Sequence, residues 1–198
     1  MKKEIMLYQS LNALASTGGC VIFGCAEDRS IPLGELKETF DLHGSFYNRS
    51  FSDLCLDNAT ELFQKCVAPL APKDIFLHIG QNDIELFTKD AAAFEQKYAL
   101  LVQHIRSTDK TCGIVIISLK NPNNDPAISH LNMYLKVIAQ NENCEIYDIT
   151  QQQVWNPRQT KEVVSFLHSI GFVRPVNQKC PMQDIIKILF CYEPNLIG

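Results

Sequence analysis

The chain has 198 residues, 46% hydrophobic and 20% charged, with a formal net charge of -4. That length suits one domain able to bury about 70% of its unfolded surface, and the composition excludes a disordered, collagen-like or low-complexity chain. Lysine and arginine are scattered singly except for Lys2-Lys3, so no basic stripe exists to track a phosphate backbone, and nucleic acid is not an expected partner.

Residues 4 to 16 contain enough helix formers for an N-terminal helix, with positions 7, 11 and 14 on one apolar face and Thr17-Gly18-Gly19 as its stop. Residues 1–18 thus read as a helical extension of a single domain spanning 1–198. Tyr8, Gln9, Ser10 and Asn12 interrupt its apolar residues, which is not the pattern of a signal-peptide core. No stretch approaches the ~20 apolar residues of a membrane span. A cytoplasmic location and no membrane partner are expected.

A first strand runs from Cys20 to Gly24, and a helix begins near Pro32, where proline suits the first turn. A second strand covers roughly Gly44 to Arg49. The next helix carries Ala59, Leu62, Phe63, Cys66 and Val67 at helical spacing, with Asp53 as a natural N-cap. The third strand, Lys73 to Ile79, is apolar on both faces, as buried parallel strands are. A long helix follows from Asp90 to Arg106, striped by Phe94, Tyr98, Leu101, Val102 and Ile105. Strand four is Gly113 to Leu119. Asp125-Pro126 opens a helix with Ile128, Leu131, Leu135 and Ile138 inward, and strand five is Glu145 to Ile149. Further helices are expected over Thr160 to Ile170, stopped by Gly171, and over Pro181 to Cys191. Strands alternating with helices predict a three-layer α/β sandwich around a five-stranded parallel sheet with right-handed crossovers.

The eight cysteines include no C-x-x-C pair, and they read as reduced small hydrophobes rather than disulfides or a zinc site; no metal and no cofactor are expected. His43, His78, His104, His130 and His168 read as satisfied core or surface groups, none placed as a general base. Trp155 lies in an irregular stretch after strand five, where core packing or the roof of a pocket are its two readings.

The segments that carry chemistry lie at strand ends, where open parallel sheets bind ligands. They are Val21-Ile22-Phe23-Gly24, Asn48-Arg49-Ser50-Phe51-Ser52-Asp53, Gly80-Gln81-Asn82-Asp83 and Gly171-Phe172-Val173-Arg174-Pro175. In this order and spacing they resemble the sequence blocks of the SGNH hydrolases, the GDSL esterase and lipase superfamily, from Gly19 onward. The resemblance implies the flavodoxin-like strand order 2-1-3-4-5, and a fold that serves esters, thioesters and acetylated sugars. It also implies that the nucleophilic serine falls on Ala26, the aspartate before it on Cys25, and the oxyanion glycine on Asp53. The triad aspartate falls on Gly171 and the histidine on Arg174. Only Gly80, Asn82 and Asp83 keep the family's residues.

A methyl group cannot attack a carbonyl, and losing a serine nucleophile or its histidine costs about a millionfold in turnover. The expectation is therefore a degenerate hydrolase whose former crevice, formed by Ala26, Asn48, Asp53, Gly80, Asn82, Asp83 and Arg174, binds a small ligand, anionic or an acyl or sugar ester, or a partner. Arg174 cannot accept a proton, and an ion pair with Asp53 or Asp83 or the binding of an anion are its readings. The alternative is an active esterase that uses Cys25 or Ser30 as a non-standard nucleophile, although Ser30 also suits helix capping. An interaction scaffold is a third reading.

Overall fold

Five parallel strands, β1 (Cys20–Gly24), β2 (Phe46–Asn48), β3 (Asp74–His78), β4 (Gly113–Ile117) and β5 (Glu145–Tyr147), pair in the order β2-β1-β3-β4-β5 in the computed structural model. This is the parallel sheet that the alternation of strands and helices predicts, in the strand order that the resemblance implies. The register sets Gly24 beside His78 and Leu77 beside Ile116. The central strands are buried on both faces. Val21, Phe23, Ile75, Leu77, Ile114 and Ile116 belong to one core cluster, and the alternating Ile22, Phe76, Val115 and Ile117 are buried as well.

The structure describes residues 1–39 and 42–150 together with Met182, Ile186, Leu189 and Phe190. The chain divides into one unit of 1–30 with 45–150 and another of 31–44 with 151–198. In the second unit, α2 (Leu33–Thr39) is helical, as are Met182, Ile186, Leu189 and Phe190, the last three buried at the spacing expected of a helix over Pro181 to Cys191. The expected helix at 160–170, Trp155, His168, Gly171 and Arg174 lie outside the described residues.

In the first unit the helices follow their apolar periodicity. Within α5 (Ala91–Thr108), Phe94, Tyr98, Leu101, Val102 and Ile105 are buried, and the Asp90 side chain accepts from the Ala93 amide as N-cap. Helix α6 (Pro126–Asn141) is capped by Asp125, which accepts from Ala127 N–H, with Pro126 in the first turn. Leu131, Leu135 and Ile138 point inward as expected. A short helix, α4 (Ile84–Lys89), fills what reads in sequence as the loop before Asp90. Its Phe87 joins Phe94, His130 and Tyr134 in edge-to-face contacts.

Helix α3 (Leu56–Leu62) ends irregularly. It widens into a π turn over Phe63–Val67, tightens into a 3-10 turn over Ala68–Leu70, and stops on Ala71 at φ 41°, a left-handed conformation unusual for alanine. Asp53 is not the N-cap of α3. Cys55 occupies that position, its amide donating to Asn58 Oδ1, while Asp53 is exposed two residues upstream.

The N-terminal helix α1 (Lys2–Asn12) packs through a different face from the expected one. Leu7, Leu11 and Leu14 are 55%, 43% and 88% exposed, and Ile5 and Tyr8 pack on the core instead. Long-range polar bonds override the apolar stripe. Tyr8 donates to the Ser50 carbonyl at 2.7 Å, and Asn12 donates to the Cys66 carbonyl at 2.9 Å. Asn12 Oδ1 accepts from Arg49 Nε and Nη2 at 2.9 and 2.8 Å. Arg49, 5% exposed, lies against the Tyr8 and Tyr47 rings. No helix among the described residues is long and apolar enough to cross a membrane.

Candidate functional site

Three loops meet at the carboxyl ends of β1, β2 and β3, as open parallel sheets arrange them. Backbone and side-chain hydrogen bonds stitch them together. The Phe51 amide donates to Gly24 O at 3.0 Å, and the Gly24 amide donates to Ser50 Oγ at 3.2 Å. Asn48 donates from Nδ2 to the Asp28 carbonyl at 2.6 Å and accepts the Ser50 amide on Oδ1 at 3.1 Å. Of the candidate crevice residues, Asn48 is tied to the loop after β1 through Asp28, and Asn82 and Asp83 are tied to the loop after β2 through Ser52, Leu54 and Leu56; Arg174 lies outside the described residues.

The loop after β1 presents Ala26 and Glu27 to solvent and buries its neighbours. Cys25, 3% exposed, does not have the character of a nucleophile: burial, reinforced by the Asp28 charge, pushes its thiol up to about 12. Ser30 is exposed in a 3-10 turn, Glu27–Ser30, and its hydroxyl donates to the Glu27 carbonyl at 2.9 Å. That bond does not activate the oxygen for attack.

The third loop begins at Gly80, whose φ of 134° is accessible to glycine and strained for other residues. Asn82 then turns its amide onto the neighbouring loop, where Nδ2 donates to Leu54 O at 2.8 Å and to Ser52 O at 3.2 Å. Both amide hydrogens are thus committed to backbone carbonyls rather than presented to a developing oxyanion. Asp83, 4% exposed, reaches across to α3 and accepts the Leu56 amide on Oδ1 at 3.0 Å. It serves the helix N-terminus that the sequence assigns to Asp53. Its Oδ2 finds no hydrogen-bond partner among the described residues, and burial raises its carboxyl above the ordinary range.

The centre of this region is a pair that sequence reasoning left apart. Asp28 and His78, 3% and 1% exposed, meet with Oδ1 and Nδ1 2.8 Å apart. The other carboxylate oxygen accepts the Cys25 amide at 2.9 Å. His78 is therefore a core histidine, as its place within a strand suggests, and Asp28 is the partner of its Nδ1. The carboxylate fills the space over Gly24: a Cβ there would stand 2.0 Å from Asp28 Oδ2. The available signal was the glycine itself, at the strand end, beside a loop aspartate three residues from Cys25. No group of three or more His, Cys, Asp or Glu suited to a metal occurs among the described residues.

No family model and no curated protein matches the sequence. Solved structures do match the fold. A protein of Streptococcus pneumonia provisionally named as a platelet activating factor superposes with a TM-score of 0.65 at 17% identity, covering 80% of this chain and 78% of that one. A GDSL-like lipase from Bacteroides thetaiotaomicron gives 0.59 at 15% identity, covering 78% and 82%. A lipase/acylhydrolase from Enterococcus faecalis gives 0.57 at 14%, covering 82% of this chain and 100% of that one. The chain has the fold of the GDSL/SGNH hydrolases, in agreement with the resemblance of its sequence blocks.

Proposed function

We propose that this chain is an SGNH-fold protein that has abandoned ester hydrolysis by the serine and histidine route, and that its former crevice binds a small ligand or a partner. The observation that carries this reading is the loop after β1: Ala26, onto which the sequence resemblance lays the family's serine, exposes only a methyl, and the thiol next to it is buried and held neutral. Two further features support it. The Asn82 amide is engaged by Ser52 and Leu54 carbonyls. An exposed carboxylate, Asp53, stands where the fold's oxyanion glycine is expected. Like charges at ~4 Å repel by about 4 kcal/mol at an effective dielectric near 20, so Asp53 would oppose an acyl-transfer transition state. Arg174 in place of the fold's histidine suits an anionic group in the ligand, and the lipases and esterases of the same fold make acyl or sugar esters the class to screen.

The test is hydrolysis of 4-nitrophenyl acetate and butyrate by the purified chain, together with labelling by a fluorophosphonate probe. Rates equal to buffer and absence of covalent adduct are expected. A rate well above buffer that disappears in Cys25→Ala or Ser30→Ala would overturn the proposal and establish an active esterase.

A further inference from the structure

At the end of the sheet opposite the crevice, before β3 and β4 begin, an apolar cavity of about 90 Å³ opens to solvent, and about 340 Å³ is free when its mouth is included. Phe63, Pro72, Ile75, Ile105 and Cys112 form its buried wall. The Cys112 thiol donates to the Gly113 carbonyl and burial pushes it up to about 12, so it lines the wall as a neutral group. At the mouth stand Ala71, Thr108 and Asp109.

Two independent features set this cavity apart from a packing gap. One side of it is built by the stretch of chain where backbone regularity fails. The π turn begins at Phe63, the 3-10 turn carries Ala68, and the left-handed Ala71 closes the segment, all three residues lining the cavity. Irregular helices and left-handed non-glycine residues concentrate where a surface is shaped for a ligand. The other feature is the charge at the mouth. Asp109 Oδ1 accepts from the Thr111 amide at 2.8 Å and from its hydroxyl at 2.7 Å. These donors hold its carboxyl below the ordinary range, so it is an anion at neutral pH.

An apolar wall with one fixed anion at the rim selects a ligand by both properties. We infer that the cavity lined by Phe63, Ile75 and Ile105, with Asp109 at its mouth, is a binding site for a small organic cation, an alkyl- or arylammonium ion whose apolar body enters while its ammonium stays at the rim. An engineered cavity of ~150 Å³ encloses benzene, so the smaller cavity here takes part of a ring and leaves the head group outside, beside the carboxylate.

The experiment is titration of the full chain with benzylammonium, followed by amide chemical shifts, with benzyl alcohol and benzoate as controls. Saturable shifts in residues 63–75 and 105–113 are expected, with benzyl alcohol bound about threefold more weakly, the scale of one solvent-screened charge contact, and benzoate weaker again. Asp109→Asn retains an acceptor for Thr111 and should erase the preference for the cation over the alcohol. Ala68→Leu should fill the cavity and abolish all three titrations. Absence of shifts in those segments, equal affinity for cation and alcohol, or a preference that survives in Asp109→Asn would each overturn the assignment. Because Asp109 is on the surface, the Asp109→Asn comparison decides the matter even if Ala68→Leu fails to fold.

Discussion

Separating Asp28 from His78 is the sharpest perturbation the structure offers. In Asp28→Ala, two buried groups lose their acceptor at once, the Cys25 amide at 2.9 Å and His78 Nδ1 at 2.8 Å. Each such loss costs about 1–3 kcal/mol when water cannot replace the partner. The sum agrees with the roughly 3–5 kcal/mol typical of breaking a buried pair. For a domain of this length each kcal/mol shifts Tm by about 2–4 °C, so a fall of roughly 10 °C is expected. Gly24→Ala should act on the same contact by a different route, because its Cβ would stand 2.0 Å from Asp28 Oδ2 and 2.7 Å from Cγ. Glu27→Ala, exposed beside it, should stay within about 0.5 kcal/mol of the parent. Urea unfolding of Asp28→Ala, His78→Ala and the double variant gives the coupling between the two side chains independently of whatever else each one touches. A coupling above about 1 kcal/mol is expected; additivity within ~0.5 kcal/mol would refute the reasoning.

Three further outcomes follow from the crevice. With its thiol at about 12, Cys25 carries about one thiolate in 10⁵ at pH 7, and it should resist iodoacetamide in the native chain yet react at once in urea. Mass spectrometry that finds Cys25 alkylated in the folded protein as fast as in the unfolded one would contradict this. Asn82→Ala removes the bonds to the Ser52 and Leu54 carbonyls and should cost about 1–2 kcal/mol in urea unfolding while leaving ester turnover at buffer level; an unchanged stability would show that the staple between the loops contributes nothing. Asp83→Asn keeps an acceptor for the Leu56 amide and removes a carboxyl that burial raises. A raised folded pKa means that the wild-type group loses stability as pH climbs from its unfolded value through its folded one. The stability of Asp83→Asn relative to wild type should therefore grow as pH rises from 3 to 7, and a difference that shrinks over that range would exclude the assignment.

Local signals made the frame legible. Strands such as Val21-Ile22-Phe23 and Ile75-Phe76-Leu77 are short apolar runs ending at glycine or a turn, and Asp125-Pro126 announces its helix with both a cap and a first-turn proline. What sequence could not show depends on contacts between distant segments. Asp28 and His78 are 50 positions apart, and the register that sets Gly24 beside His78 is what joins them. Asp53 has the position and chemistry of an N-cap, yet Asp83 takes the Leu56 amide from another loop. In α1, the apolar stripe at 7, 11 and 14 predicts the buried face, whereas Tyr8 and Asn12 dock the neighbouring one through bonds to Ser50, Cys66 and Arg49. Periodicity reports where apolar groups recur, and it carries no information about a polar face held by specific partners.

A hydrolase of this fold needs donors at the strand ends that remain free until charge develops on the substrate, because preorganised groups act only if the ground state does not consume them. Here the same positions are consumed in the resting fold. Asn82 holds two carbonyls, Asp83 holds a helix terminus, Asn48 bridges the Asp28 carbonyl and the Ser50 amide, and the Asp28 carboxylate clamps the loop that carries Ala26. Each bond stabilises the crevice and subtracts a group from its chemistry. On the proposed reading a hydroxyl restored at position 26 should not restore turnover, because the Asn82 amide would have to release Leu54 O and an Asp53 carboxylate at the expected oxyanion position would oppose the developing charge. On the reading proposed above, these hydrogen-bond partners withhold the crevice from hydrolysis as much as the methyl of Ala26 does.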